Sequence, residues 1–226
     1  MQLASNLIFW GGKRTPTAKD YVQSGLVAMW DGIENVGWGV HDASATTWVD
    51  LSRNGYNIII PSVGATWGVD SVTLSNVSLS RQLPETSREN FTIECVASKG
   101  AGSTIGALVW MKNPSWIGGA LVGWTTYGAC YYPWSEIARL NVSQLSAISL
   151  NWKPGSQACV QNGVTVATAS GGIDSRNVLS ELIVGEYNGS KNENTICSCV
   201  RLYSRALTAD EIARNYAIDK ARFGLP

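Results

Sequence analysis

Histidine is almost missing from this chain: His41 is the only one in 226 residues, which excludes a catalytic or metal centre built on several imidazoles. Phenylalanine and methionine are scarce too, at three each against ten tryptophans. Neither sign of charge is in excess, because 17 Lys and Arg balance 17 Asp and Glu, and the bases are scattered along the chain. No phosphate-tracking surface is signalled, so nucleic acid is not an expected partner. No apolar run is long enough to span a bilayer, so no membrane partner is expected either. Internal linkers rich in proline, serine or charge are also absent, and 226 residues suit one core. At the start, Met1 to Trp10 carries no base ahead of its short apolar run, and Lys13-Arg14 follow it. That is the reverse of a secretory signal.

What is present is alternation. Phe91, Ile93, Cys95 and Ala97 fall on one face of a strand, with Thr92 and Glu94 on the other, which predicts a half-buried strand. Ile148 to Trp152 repeats the pattern. Asn162-Gly163 between two such runs predicts a type I′ hairpin, because both residues accept positive φ. The expected register sets Gln161 opposite Val164, Val160 opposite Thr165 and Cys159 opposite Val166. Leu182–Tyr187 and Ile196–Tyr203 read as further strands, and Gly25–Gly32 as a first core strand. One helix opens at Thr208, where Glu211 completes a capping box and Leu207 and Ile212 stand at the staple positions. Its apolar side carries Ile212 and Tyr216, with Asp219-Lys220 on the polar side. The prediction is an all-β chain, an antiparallel β-sandwich of jelly-roll type with one C-terminal α-helix on its rim. Residues 1–22 form an N-terminal arm placed to lie on a neighbour, and 23–226 form the domain.

Four stretches then share a family pattern: Gly25–Trp30, Thr46–Asn57, Val160–Val164 and Val200–Ile212. In that order they resemble the concanavalin A-like lectin/glucanase superfamily, in its laminin-G-like branch, over about Gly25 to Tyr216. Trp30–Asp42 looks like versions found in gut bacteria and their phages. The resemblance implies a virion or cell-surface module, with other virion proteins or further copies of the chain as neighbours.

The superfamily includes glycoside hydrolases, whose two carboxylates come from one strand in an E-x-D-x-x-E pattern. Here no two acids are separated by a single residue, and Glu94 and Glu186 stand alone on their strands. Family-type hydrolysis is not expected. Carbohydrate recognition needs aromatic faces with amides nearby, and Trp110–Gly119 and Trp124–Trp134 supply both. Trp116, Tyr132 and Trp134 are the candidate stacking surface for a glycan or host-surface polysaccharide, with Asn113 as polar partner. The alternatives are that Trp110 and Trp124 are core residues, or that the rings form a protein interface.

Some laminin-G-like domains bind calcium at a sandwich rim. Asp31, Asp42 and Asp50, with Asn54 and Asn57, would supply its oxygen ligands; the other reading of Asp50–Gly55 is a turn held by its carboxylate. His41 beside Asp42 reads as a loop-holding residue. The five cysteines, an odd number, read as reduced thiols. Cys197 and Cys199, two apart on one strand, are expected to face the same way.

Overall fold

The computed structural model describes residues 14–86, 90–100, 107–112, 119–124, 129–131, 136–153, 155–170 and 179–226. In chain order the strands are β1 (Leu26–Asp31), β2 (Thr47–Trp48), β3 (Ile58–Ile59), β4 (Ala65–Trp67), β5 (Val72–Leu74), β6 (Leu79–Thr86), β7 (Phe91–Lys99), β8 (Ala107–Lys112) and β9 (Gly119–Trp124). Then follow β10 (Ala129–Tyr131), β11 (Glu136–Arg139), β12 (Ser146–Lys153), β13 (Ser156–Gln161), β14 (Val164–Ala169), β15 (Leu179–Val184), β16 (Glu186–Tyr187), β17 (Ser190–Lys191), β18 (Thr195–Tyr203) and one helix, α1 (Ala209–Phe223).

Two antiparallel sheets stack as a β-sandwich. The larger has eight strands in the order β14-β13-β12-β7-β18-β5-β4, with β1 also beside β18; the smaller has six, β11-β10-β9-β8-β15-β6. Alternate residues of both sheets meet in one core that includes Trp30, Phe91, Ile93, Leu150, Trp152, Val109, Val122 and Leu182. Apolar side chains at period two on both inner faces are the cause of that stacking.

β18 contains a correction to the period-two reading. It pairs Cys197 with Ala97 but Cys199 with Val96, so Ser198 is one residue extra. Cys197 therefore points into the sandwich core, whereas Cys199 points out among Val96, Ala147 and Phe223. A bulge reverses the facing of everything beyond it. The Asn162-Gly163 turn has the positive φ values expected, 48° and 75°. Gln161 lies opposite Val164 and Val160 opposite Thr165, but Cys159 lies opposite Ala167, since Val166 is bulged out. Leu182–Tyr187 is likewise two strands: Gly185 at φ +80° ends β15 and turns the chain into the β16–β17 ribbon.

β7 is buried on both faces except at its last residue. Its outer face is covered by α1, which lies across the outside of the larger sheet and not on a rim. Ile212 packs with Val160, Tyr203 and Leu207; Ile218 with Met29, Tyr21 and Ala18; Phe223 with Val96 and Cys199. Thr208 caps the helix, its hydroxyl accepting the Glu211 N–H while the Glu211 carboxylate accepts the Thr208 N–H, and Gly224 in the left-handed conformation ends it. Residues 14–22, part of the expected arm, pack on this same chain, with Ala18, Tyr21 and Val22 buried against the helix side. No helix among the described residues is long and apolar enough to cross a membrane.

Candidate functional site

The aromatic segments singled out in the sequence hang from the smaller sheet. β8 to β11 form a meander in which Lys112 pairs with Gly119 and Tyr131 with Glu136. Consecutive antiparallel strands reverse direction, so the β8–β9 and β10–β11 connections leave the sheet at the same end. Asn113 and Trp116 belong to the first connection, Tyr132 and Trp134 to the second; all four lie outside the described residues. At the end of β8, Lys112 sits 3.6 Å from Glu181 and 5.7 Å from the Trp110 ring. Trp110 itself is buried on the outer face of the sheet, 4.9 Å from the Tyr187 ring.

Three other tryptophans hold the long segment between β1 and β4. A buried indole needs an acceptor for its N–H, and each finds a carbonyl here: Trp30 that of Tyr56, Trp48 that of Asp31 and Trp67 that of Ala45, all at 2.9 Å. Trp67 also stands edge-on to Trp48, 5.4 Å away, and to His41, 6.5 Å away. His41 Nδ1 lies 2.8 Å from the Gly32 carbonyl. Three of the ten tryptophans thus staple loops onto the sandwich.

The three candidate metal ligands sit in different surroundings. Asp50 is buried and its oxygens accept the N–H groups of Met29, Ser52 and Tyr56 and the Ser52 hydroxyl. Asp42 is exposed and accepts from the Ser44 N–H and hydroxyl. Asp31 is fully buried beside Arg222. Asn54 Nδ2 donates to the Val27 carbonyl, and Asn57 Oδ1 accepts the Asp50 N–H. Among the described residues no group of three or more His, Cys, Asp or Glu side chains is arranged to hold a metal ion.

The acids that do converge were not anticipated. Under α1, Arg201 holds Asp219 through two bonds of 2.7 Å and Glu94 through one of 2.9 Å, and its guanidinium lies 4.1 Å from the Tyr21 ring centre. Tyr21 donates to Asp219, and Asn215 donates to Glu94 and to the Tyr203 oxygen. Near the helix C-terminus, Arg222 reaches Asp31 at 2.7 Å and Glu34 at 2.9 Å. Burial pushes Asp31 up to about 6, and the Arg222 charge only partly offsets it. Burial alone would also raise Glu34, yet N–H bonds from Ala18 and Gly39 and the Arg222 pair bring it below the usual carboxylate range. Glu94 is raised, burial again outweighing Arg201. These carboxylates are occupied in holding the helix to the sheet. The thiols are similarly passive: Cys95, Cys159, Cys197 and Cys199 are free and buried, and burial pushes Cys197 up to about 12. A thiol that stays protonated is a poor nucleophile.

The chain is thus a two-sheet antiparallel sandwich. No protein-family model matches it, and no curated protein does. Solved structures share its fold. Over 92% of its length it is similar to a sialidase of Trypanosoma rangeli, with a TM-score of 0.62 at 14% identity, spanning 34% of that protein. A tryptophan-to-alanine mutant of HCR/D matches at a TM-score of 0.66 and 8% identity, over 87% of this chain and 52% of the other. Domain 4 of AbnA, a GH43 extracellular arabinanase from Geobacillus stearothermophilus solved with arabinotriose, matches at 0.60 and 14% identity, over 86% of this chain and 98% of that domain.

Proposed function

We propose that this chain is a non-catalytic glycan-binding module of the concanavalin A-like superfamily, laminin-G-like branch, displayed on a phage particle or bacterial surface. The observation that carries the reading is topological. Two connections, 113–118 with Asn113 and Trp116 and 132–135 with Tyr132 and Trp134, join strand pairs at the same end of one antiparallel sheet, which is where a recognition surface built from Trp116, Tyr132, Trp134 and Asn113 would assemble. Support also comes from the sugar-bound relatives of the fold, AbnA domain 4 with arabinotriose and the sialidase with sialic acid. The non-catalytic part rests on the buried acids, whose convergence on Arg201 and Arg222 serves packing and not an open cleft of the kind glycoside hydrolysis needs.

The test is a glycan array with wild type and a Trp116→Ala/Trp134→Ala double variant, in calcium and in chelator. Wild type should be retained and the double variant lost, with chelator making no difference because Asp31 and Asp50 are engaged internally. Equal retention of the two proteins removes the site assignment, and new reducing ends from mixed polysaccharides remove the non-catalytic reading. A second reading, self-association as a structural protein, is favoured by β14. This edge strand has no charge and leaves Val164 64% and Val166 42% exposed; light scattering separates it.

A further inference from the structure

A trough runs along the free edge of the larger sheet. One wall is β4; the other is formed by 43–46 and 60–62, and together they border a half-open depression of about 200 Å³. The β2–β3 ribbon beside it leans on β6, one edge of the smaller sheet, whereas β11 at the opposite edge lies against β14. Geometry fixes what β4 offers to the trough. Gly64 and Gly68 bond back toward β5, through the Ser75 N–H to the Gly64 carbonyl and the Gly68 N–H to the Ser71 carbonyl, both 2.7 Å. Thr66 shares their parity, so the N–H and C=O of Ala65 and Trp67 point the other way, off the sheet edge into the trough.

The side chains complete a consistent surface. Four exposed hydroxyl residues, Ser44, Thr46, Ser62 and Thr66, line the walls, and Ile60 and Trp67 form a buried apolar floor. The floor is fixed, because the Trp67 indole N–H bonds across to the Ala45 carbonyl at 2.9 Å and the Ile60 N–H to the Thr46 carbonyl at 2.9 Å. None of the described residues lining the trough is charged. An ionised ligand would lose water here with no counter-charge, which is unfavourable; a ligand rich in neutral hydroxyls would trade water for matched donors and acceptors. The volume is below the roughly 300 Å³ at which sites for drug-sized molecules begin, and suits one sugar ring.

We propose that this trough is a second saccharide subsite, taking one neutral sugar ring and excluding sialic, uronic and sulfated ones; the inference rests on the glycan-binding reading above. Backbone groups of Ala65 and Trp67 and the hydroxyls of Thr66 and Ser62 bind the ring hydroxyls, and its apolar face rests on Ile60 and the Trp67 indole. Two subsites on one chain engage two points of a long glycan or two chains at once, which raises avidity without new contacts.

The test uses the full ¹⁵N-labelled chain and follows the Trp67 indole N–H signal, assigned with a Trp67→Phe variant. Arabinotriose, cellotriose and maltotriose are titrated against sialyllactose and a sulfated heparin fragment. At least one neutral trisaccharide should shift the Trp67 indole and the Ala65 and Thr66 amides, and the acidic sugars should leave them unmoved. Thr66→Trp, which fills the trough from an exposed position, should weaken that response at least tenfold while keeping the dispersed spectrum of a folded protein. Trp116→Ala/Trp134→Ala should leave it intact. The subsite is overturned if sugars shift other signals only, if Thr66→Trp responds as wild type, if acidic sugars act equally, or if an uncharged extended peptide adding to β4 is the sole ligand that moves these amides. Should no sugar shift any signal, the glycan reading falls first and the subsite with it; a response confined to other residues removes the subsite alone.

Discussion

Arg201 and Arg222 each gather two carboxylates at α1, but their surroundings are finished to different degrees. Around Arg201 the partners satisfy one another: Asp219 takes two guanidinium bonds and the Tyr21 hydroxyl, and Glu94 takes Arg201 and Asn215, whose own oxygen accepts the Val22 N–H. Around Arg222 two atoms are buried with no partner among the described residues, Asp31 Oδ2 and Arg222 Nε. The first set locks the middle of the helix to β18 and β7. The second ties the helix end to the Glu34 loop and the N-terminal segment, through the Glu34 carboxylate on the Ala18 N–H and Arg222 on the Pro16 carbonyl. A closed network makes one geometry rigid; an incomplete one leaves a proton equilibrium inside the fold.

The sharpest way to break this comparison is Arg201→Met. It strands Glu94 and Asp219 without counter-charge and should remove about 3–5 kcal/mol of stability, read from urea unfolding; a loss under about 1 kcal/mol would show the network to be dispensable. Arg222→Met should cost less, about 1–3 kcal/mol, because Glu34 keeps its N–H donors from Ala18 and Gly39 and Asp31 keeps those from Ile33 and Glu34. Hydrogen exchange should then rise first in residues 14–22, and uniform exchange would contradict the division of labour.

A pH titration sharpens the contrast further. Asp31 is raised from 3.8 to about 6 in the fold, so the native state binds its proton more tightly than the unfolded chain does. Its stabilising contribution is full below about pH 4 and is lost as pH rises through about 6. Glu94, also raised, acts with the same sign. Asp20 and Glu211 work oppositely: hydrogen bonds from Arg14 and Arg205 hold both down at about 2, so what they contribute is present above about pH 4 and lost toward pH 2. Melting temperature should therefore climb as pH falls from neutral to about 5 and drop at stronger acidity. Asp31→Asn should flatten the limb between about pH 5 and pH 7, and an unchanged slope would assign it elsewhere. The smallest effect is at the helix start, where Thr208→Ala removes one cap bond and should cost about 1 kcal/mol without altering the limb between about pH 5 and pH 7 that Asp31 sets.

Local chemistry was legible and facing was not. Asn162-Gly163, the Thr208–Glu211 box and the strands around Ile93 and Leu150 each declare themselves through a few adjacent residues, and the structure has all of them. Glu94 and Asp219 were read as solvent-facing because polarity in an amphipathic pattern usually means water; here each is matched by Arg201 from another element. A cue existed: Asn215 and Asp219 are spaced four apart on the stripe that also carries Ile212 and Ile218, a mixed face opposite Thr92, Glu94 and Arg201. The Ser198 and Val166 bulges left no such cue, because an extra residue in a strand looks like any other until its partner is known. Of the site, the sequence identified the aromatic connections, while the trough depends on which side of β4 is free, and that is set by long-range pairing.

Ser198 has a further consequence. It divides β18 into two lengths of opposite phase, one paired with β5 and facing its Cys197 inward, the other paired with β1 and turning Arg201 outward to the helix. Removing that single residue would restore strict alternation and force one length to turn over. Either a guanidinium would enter a hydrocarbon interior or Cys197 would leave it. The spare residue is the hinge of phase that lets one continuous strand serve an oily layer and an ionic one.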